Sequence, residues 1–224
     1  MPSKVEAFPA SSVLISFPIC PFVGRARIVV LEKNIKLEVQ LIDLENKPAW
    51  FLERSPTGTV PALDTGKHFI FESSVISEFL DEVSEGSLHP EAAADRAVNR
   101  AWTEYAAKML VAQFMMLMSA TQADFETHKS TLIAGLQNVE KAHSNQPFFN
   151  GKDFALIDAA YSPLLVRTKY LREKHGIDLL SDLPQLRAWE EALNDRASVR
   201  EVHGVEYFEH LEQVMTDRAS MLLQ

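Results

Sequence analysis

Hydrophobic and polar positions follow two alternating periods over the first 83 residues, which predicts a mixed α/β unit. Four short runs have the length and apolar character of strands, and the last two flank a Thr-Gly-Lys turn. Three other segments place their apolar residues on one side of a helix. The predicted order is therefore βαβαββα. The predicted strands are residues 13–17, 37–42, 61–64 and 68–71, and the predicted helices are residues 21–33, 48–54 and 73–83.

The pattern changes after residue 83, because every predicted element beyond it is a helix. Residues 84–90 combine Gly, Ser, His and Pro and are typical of a linker. The predicted organisation is an α/β domain at residues 1–83, a linker at 84–90 and an all-helical domain at 91–224. The predicted helices of the second domain are residues 91–121, 124–144, 156–175, 183–195 and 205–222. The first of them carries an apolar stripe expected in the core, formed by Val98, Trp102, Tyr105, Met109, Ala112 and Met116.

Composition narrows the function classes. The 224 residues include 22 Lys and Arg against 31 Asp and Glu, and this net charge of −9 argues against binding to nucleic acid or a membrane surface. A single cysteine cannot form an internal disulfide, and we expect a cytoplasmic protein without a signal peptide or membrane span. The seven histidines show no metal-ligand spacing, so no metal site is expected.

The only cysteine, Cys20, follows the first predicted strand and precedes Pro21. Proline suits the first position of a helix because its missing N–H needs no partner there. Cys20 is therefore expected at the N-cap, where free backbone N–H groups and the positive end of the helix dipole favour a thiolate. We expect a pKa below the ordinary cysteine value and a reactive thiol. The alternative is a buried structural cysteine.

Two further stretches allow both a structural and a functional interpretation. Val60-Pro61 is either the plain start of an edge strand or a cis bond that turns the Val60 backbone toward a ligand. Glu72 and Ser73 either cap a helix in the ordinary way, or hold the ammonium and carboxylate of a ligand at its N-terminus. Lys47, taken alone, has the character of a solvated surface charge.

Three motifs followed by an all-helical half resemble a cytosolic glutathione transferase: Cys20-Pro21-Phe22, Val60-Pro61-Ala62-Leu63 and Glu72-Ser73-Ser74. Together with the stretch at residues 46–51, the cysteine makes the chain similar to the omega class and its bacterial relatives. The lambda and dehydroascorbate-reductase classes share the cysteine. The resemblance implies a thioredoxin-like N-terminal domain that binds glutathione, a helical domain that covers a hydrophobic substrate pocket, and a homodimer.

The resemblance also implies roles for individual residues. Cys20 matches the residue that forms a mixed disulfide with glutathione. The other matched glutathione residues are Phe22 lining the site, Lys47 near the glycine carboxylate, Val60 as the backbone clamp on the cysteinyl part, and Glu72 with Ser73 at the γ-glutamyl end. Arg167 and Tyr207 fall where the family lines the second-substrate pocket.

One departure from the family pattern concerns the helix predicted to begin at residue 156. The family has Ser or Thr as its N-cap, where this chain has Ala155. The lost cap costs about 1 kcal/mol of stability, while Asp158 can still bond back to the N-cap N–H.

The resemblance implies glutathione-dependent thiol transfer or reduction, with glutathione as co-substrate and Cys20 as nucleophile. The predicted activity includes both deglutathionylation of a disulfide and reduction of dehydroascorbate. The expected second substrate is a small hydrophobic or glutathionylated molecule. One alternative is an interaction protein of the same fold without catalysis, against which the presence of Lys47, Val60, Glu72 and Ser73 argues. Glutathione conjugation to electrophiles is the other alternative, disfavoured because a cysteine tends to form a disulfide with bound glutathione.

Overall fold

A four-stranded sheet organises the N-terminal part of the chain in the computed structural model, which describes residues 8, 11–144 and 146–224. The strand order is β2-β1-β3-β4. The first strand, β1 (Val13–Ser16), pairs in parallel with β2 (Glu38–Leu41) and antiparallel with β3 (Ala62–Asp64). A tight turn then returns the chain into β4 (Phe69–Phe71), antiparallel to β3. Gly66 in that turn has a φ of 79°, a conformation that glycine adopts without steric cost.

Three helices complete this unit and confirm the predicted thioredoxin-like order βαβαββα. They are α1 (Pro21–Glu32), α2 (Ala49–Arg54) and α3 (Ser73–Glu82). Successive residues of β1 point to opposite faces of the sheet. Leu14 belongs to the large core shared with α1 and α3, whereas Ile15 packs in a smaller cluster with Phe51 of α2. The sheet is therefore covered on both faces at β1, whereas all four residues of the edge strand β2 are exposed.

The second half of the described chain is helical, as the sequence predicts. Between α3 and its first helix, residues 83–92 contain no helix or strand, and they include the predicted linker at 84–90. The helices are α4 (Ala93–Leu117), α5 (Gln122–Ala142), α6 (Leu156–His175), α7 (Pro184–Asn194), α8 (Ala197–Val202) and α9 (Val205–Asp217), followed by a 3-10 turn at Met221–Leu223. No helix in the described part of the chain combines the length and the apolar character needed to cross a membrane.

The helical half differs from the prediction in several details, and α4 ends at Leu117 rather than at residue 121. The helix predicted for residues 205–222 ends at Asp217, because Ala219 adopts a φ of 51° that a helix cannot continue. The short α8 is not evident in the sequence, since its few residues hold less than two full turns of pattern. In the apolar stripe of α4, Met109 and Met116 are buried, but Val98 is 52% exposed.

Helix α6 runs through the centre of the molecule and joins the two halves. Arg25 of α1 donates from Nε to the carbonyl of Ala160, with 3.1 Å between the two atoms. At the start of α6, Ala155 is the N-cap and the Asp158 carboxylate accepts from its N–H at 2.8 Å, as expected. The same carboxylate also accepts from the indole N–H of Trp189, so it holds α7 against α6.

Candidate active site

Cys20 is the N-cap of α1, with Pro21 at the first helical position, as the sequence predicts. Its φ of −67° and ψ of 117° are extended, so the backbone changes from an extended to a helical conformation directly after this residue. The thiol contacts the carbonyl of Val60, with 3.6 Å from Sγ to the oxygen. The Val60–Pro61 peptide bond is cis, as the functional interpretation of this pair predicts.

The expected low pKa of Cys20 is wrong in this structure. Cys20 keeps part of its surface open, but burial is the largest influence on the thiol and raises its pKa above the ordinary value. Hydrogen bonding from the backbone N–H groups of Val23 and Phe22 lowers the pKa, as do the charges of Arg167 and Arg25. These are the helix-terminus effects predicted from the sequence, but desolvation of the thiolate outweighs them.

A cleft of about 470 Å³ opens at Cys20 and collects residues from four separate stretches of the chain. All six residues that the resemblance assigns to glutathione line it: Cys20, Phe22, Lys47, Val60, Glu72 and Ser73. The remaining lining residues are Leu44, Thr57, Gly58, Thr59 and Pro61. The fold thus brings the predicted residues together in one cavity.

The start of α3 differs from ordinary helix capping. Glu72 is the N-cap, with a φ of 71° and a ψ of 119°, and its side chain makes no capping hydrogen bond. A non-glycine residue in this region costs on the order of 1–3 kcal/mol and is typical of ligand-binding sites. Ser73 follows as the first residue of the helix and is buried. The first N–H groups of α3 therefore lack a side-chain cap and lie beside the cleft, where an anionic group can bind them.

Arg167 and Tyr207 lie together but not on this cleft. Arg167 is fully buried on α6 and donates from Nε to the Tyr207 hydroxyl at 2.7 Å. It also donates from Nη2 to the carbonyl of Ile19, the residue before Cys20, at 2.6 Å. Tyr207 is 5% exposed and lines a different cleft, together with Pro18. The second-substrate role of both residues stays a prediction. In the structure, Arg167 contacts the backbone directly before Cys20.

Sequence reasoning missed the loop that forms one wall of the cleft. Thr57, Gly58 and Thr59 belong to it, and Gly58 has a φ of 60° that favours glycine. The Ser-Pro-Thr-Gly run at residues 55–58 is a turn signal that could have pointed to this wall. Among residues 11–144 and 146–224, no three His, Cys, Asp or Glu side chains are grouped so that they could hold a metal ion.

Comparison with known proteins assigns the family. The protein-family model described as "Glutathione S-transferase, N-terminal domain" matches residues 14–87. Glutathione S-transferase omega-1 of Rattus norvegicus is 32% identical over 178 residues, which make up 78% of this chain and 73% of the rat protein. The chain belongs to the glutathione S-transferase family.

Solved structures of glutathione transferases agree with this assignment. The crystal structure of glutathione transferase Omega 3C from Trametes versicolor is 26% identical with a TM-score of 0.75, over 86% of this chain and 88% of that chain. Rice GST1 in complex with glutathione has the same fold, with a TM-score of 0.82 at 23% identity over 94% and 97% of the two chains. The resemblance drawn from the sequence motifs is confirmed, with omega-class proteins among the relatives.

Proposed function

We propose that this glutathione S-transferase is a glutathione-dependent thiol transferase in which Cys20 forms a mixed disulfide with glutathione. One observation carries the proposal: the only cysteine of the chain lies at the N-terminus of α1, in the cleft that Phe22, Lys47 and Ser73 also line. A cysteine beside bound glutathione can exchange disulfides with it, whereas a hydroxyl can only hydrogen-bond its thiolate.

The cleft residues suit the charged groups of glutathione. Lys47 supplies a cation for the glycine carboxylate, and the Val60 backbone clamps the cysteinyl part. At the start of α3, Ser73 and the uncapped N–H groups bind the γ-glutamyl carboxylate, while Glu72 pairs with the ammonium. Phe22 packs against the tripeptide. The absence of a side-chain cap on α3 supports this assignment, because a bound carboxylate would replace that cap.

The chemistry is two successive thiol–disulfide exchanges. The Cys20 thiolate attacks the glutathionyl sulfur of a substrate R–S–S–G, the old S–S bond breaks, and R–S⁻ leaves and takes a proton from solvent. A second glutathione thiolate then attacks the glutathionyl sulfur of Cys20–S–S–G and releases the Cys20 thiolate. The net products are R–SH and oxidised glutathione. With dehydroascorbate as acceptor, two glutathione molecules supply the two electrons and two protons instead.

The protonation state of Cys20 sets the rate of the first exchange. Because burial raises the pKa of this thiol, the thiol is the main form in the free protein at neutral pH. The rate of attack is therefore expected to rise as the pH approaches the pKa from below.

A substrate panel with excess glutathione tests the proposal. Glutathionylated disulfides and dehydroascorbate are compared with an electrophile that accepts glutathione by conjugation, using the wild type and Cys20→Ser. We expect turnover of the first two classes by the wild type and its loss in the variant. Turnover of the electrophile alone would instead support the conjugating alternative.

A glutathione-binding experiment distinguishes the proposed enzyme from an interaction protein of the same fold. Retention on immobilised glutathione, with elution by free glutathione, is expected for both the wild type and Cys20→Ser. A protein that is not retained and does not turn over any of these substrates would support a fold used only for interaction.

The proposal also includes the oligomeric state, the cellular location and the class of the second substrate. We propose a cytoplasmic homodimer, to be measured by light scattering after size exclusion, which gives twice the chain mass of 25.2 kDa for a dimer. The second substrate is a small hydrophobic or glutathionylated molecule. Of the two residues predicted to line its pocket, Arg167 is fully buried, and Tyr207 is the one proposed to contact the substrate.

A further inference from the structure

Among the described residues, the fully buried Arg167 cation finds only neutral hydrogen-bond partners. Its Nη2 donates to the Ile19 carbonyl, and its Nε donates to the Tyr207 hydroxyl. In the part of the chain that the structure describes, Nη1 is buried and has no hydrogen-bond partner. A buried charge without a carboxylate partner is costly to a fold, so its presence calls for an explanation beyond packing.

The contact with Ile19 connects this cation to the nucleophile. Ile19 and Cys20 share a peptide bond, so the 2.6 Å bond to the Ile19 carbonyl fixes the backbone on which Cys20 is carried. The bond crosses from the helical half to the sheet half of the molecule, since Arg167 lies on α6 and Ile19 lies between β1 and α1. Arg167 thereby determines how the loop before Cys20 sits against α6.

The charge of Arg167 also acts on the thiol. Burial raises the pKa of Cys20, and the charge of Arg167 opposes this rise more strongly than the charge of Arg25 does. Burial raises the pKa of the Tyr207 hydroxyl, and the charge of Cys20 adds to this rise, which places the Cys20, Arg167 and Tyr207 side chains in one neighbourhood.

The other charged and titratable groups around Cys20 differ from Arg167 in their location or their charge. Lys47 and Glu72 line the open cleft beside the thiol. Behind the thiol, His203 lies within range of the Arg167 charge, and burial lowers the pKa of His203 to about 3, so this imidazole is neutral at physiological pH. Arg25 is the other buried cation near Cys20, and it is tied to the Ala160 carbonyl of α6.

We propose that Arg167 is a positioning residue for Cys20, holding the Ile19–Cys20 peptide against α6 and keeping a fixed positive charge near the sulfur. When the thiol ionises, this charge stabilises the thiolate against the desolvation that burial imposes. The inference rests on Cys20 as the nucleophile of the proposed function. Its test uses alkylation, which needs no glutathione, so the two can fail separately.

The experiment measures the alkylation rate of Cys20 by iodoacetamide across pH, using intact mass. The thiolate displaces iodide and forms one C–S bond, and because Cys20 is the only cysteine the whole signal belongs to it. Arg167→Gln removes the charge, and Arg167→Lys keeps it. Arg172→Gln is the matched control, since Arg172 lies on the same helix but pairs with Glu190. Circular dichroism confirms that each variant is folded.

The proposal predicts a rise of about 1 unit in the pH midpoint of alkylation for Arg167→Gln, and a fall of about tenfold in the rate at pH 7. Arg167→Lys is expected to restore most of the shift, and Arg172→Gln to leave the midpoint unchanged. A folded Arg167→Gln protein with the wild-type midpoint overturns the proposal, as does an equal shift in the control.

A second measurement needs no change at Arg167, in case Arg167→Gln does not fold. In protein labelled with ¹⁵N-arginine, the Arg167 Nε–H resonance is assigned through its contact with Tyr207 and followed across pH. We expect it to shift with the same midpoint as Cys20 alkylation in the wild type, and to lose that transition in Cys20→Ser. A resonance that shows the same pH response in both proteins overturns the proposal.

Discussion

The Cys20 sulfur lies 3.6 Å from the carbonyl oxygen of Val60, so the nucleophile and the proposed backbone clamp of the glutathione cleft are in direct contact. The thiol donates to this carbonyl, and the bond is available only to the protonated form of Cys20. Ionisation breaks it and leaves the thiolate dependent on the N–H groups of α1 and the charges of Arg167 and Arg25. Under the proposed function, this contact would bring disulfide formation at Cys20 and glutathione binding at Val60 to one point of the cleft.

Ser73→Ala is expected to weaken glutathione binding with little effect on folding. Loss of one hydrogen bond to a bound carboxylate costs on the order of 1–3 kcal/mol, which corresponds to a rise of about 5- to 150-fold in the KM for glutathione. The matched control is Ser77→Ala, because Ser77 is also buried on α3 but does not line the cleft. An unchanged KM in Ser73→Ala, or an equal rise in both variants, contradicts the assignment.

Asp81→Ala is expected to destabilise the fold strongly. The carboxylate of Asp81 pairs with Lys33 at 2.8 Å, and the two side chains are only 3% and 4% exposed. It also accepts from the N–H of Leu88, which attaches the linker to α3. Removing one partner of a buried pair costs about 3–5 kcal/mol in the free energy of unfolding, measured with urea. Glu126→Ala breaks an exposed pair with Lys129 and is expected to cost about 0–1 kcal/mol. Similar costs for the two variants are inconsistent with this account.

His203 is expected to make the fold less stable in acid. Burial lowers its pKa to about 3 from an ordinary value of 6.5, so between these values the unfolded chain binds a proton that the folded chain does not. The free energy of unfolding therefore falls as the pH drops below 6.5, and this contribution is absent above it. From pH 6.5 to pH 4 the wild type should lose about 3 kcal/mol more than His203→Gln.

The control for the pH experiment is His210→Gln, which removes an exposed imidazole of α9. Urea unfolding at several pH values gives the slope for each protein. Parallel slopes for the wild type and His203→Gln rule out His203 as the source of the acid sensitivity.

The sequence predicted the N-terminal unit well because its elements are short and sharply bounded. Pro21 and Gly66 mark a helix start and a turn through their own backbone preferences, and the ends of all seven elements lie within one residue of the prediction. The six cleft residues were found through motifs that keep a fixed relation to these elements, and the cleft contains all of them.

Long-range packing is what the sequence could not supply. The pKa of Cys20 depends on burial by groups far along the chain, and a local argument from the helix terminus therefore gave the wrong direction. Arg167 lies 148 positions from Ile19, so no local pattern pointed to their hydrogen bond. Val98 belongs to an apolar stripe that looks continuous in sequence, but it lies largely in solvent because the stripe is covered over only part of its length.

The most direct test of the central claim is the mass of the chain after incubation with oxidised glutathione. The Cys20 thiolate attacks one sulfur of the disulfide, releases one glutathione thiolate, and retains the other half as a mixed disulfide. The account predicts one glutathione adduct per chain, on Cys20, that forms faster as the pH rises and is removed by free glutathione. Cys20→Ser should form no adduct and show no thiol-transferase activity, while still binding immobilised glutathione. Full thiol-transferase activity in Cys20→Ser, or a wild type that forms no adduct while it turns over disulfides, would contradict it.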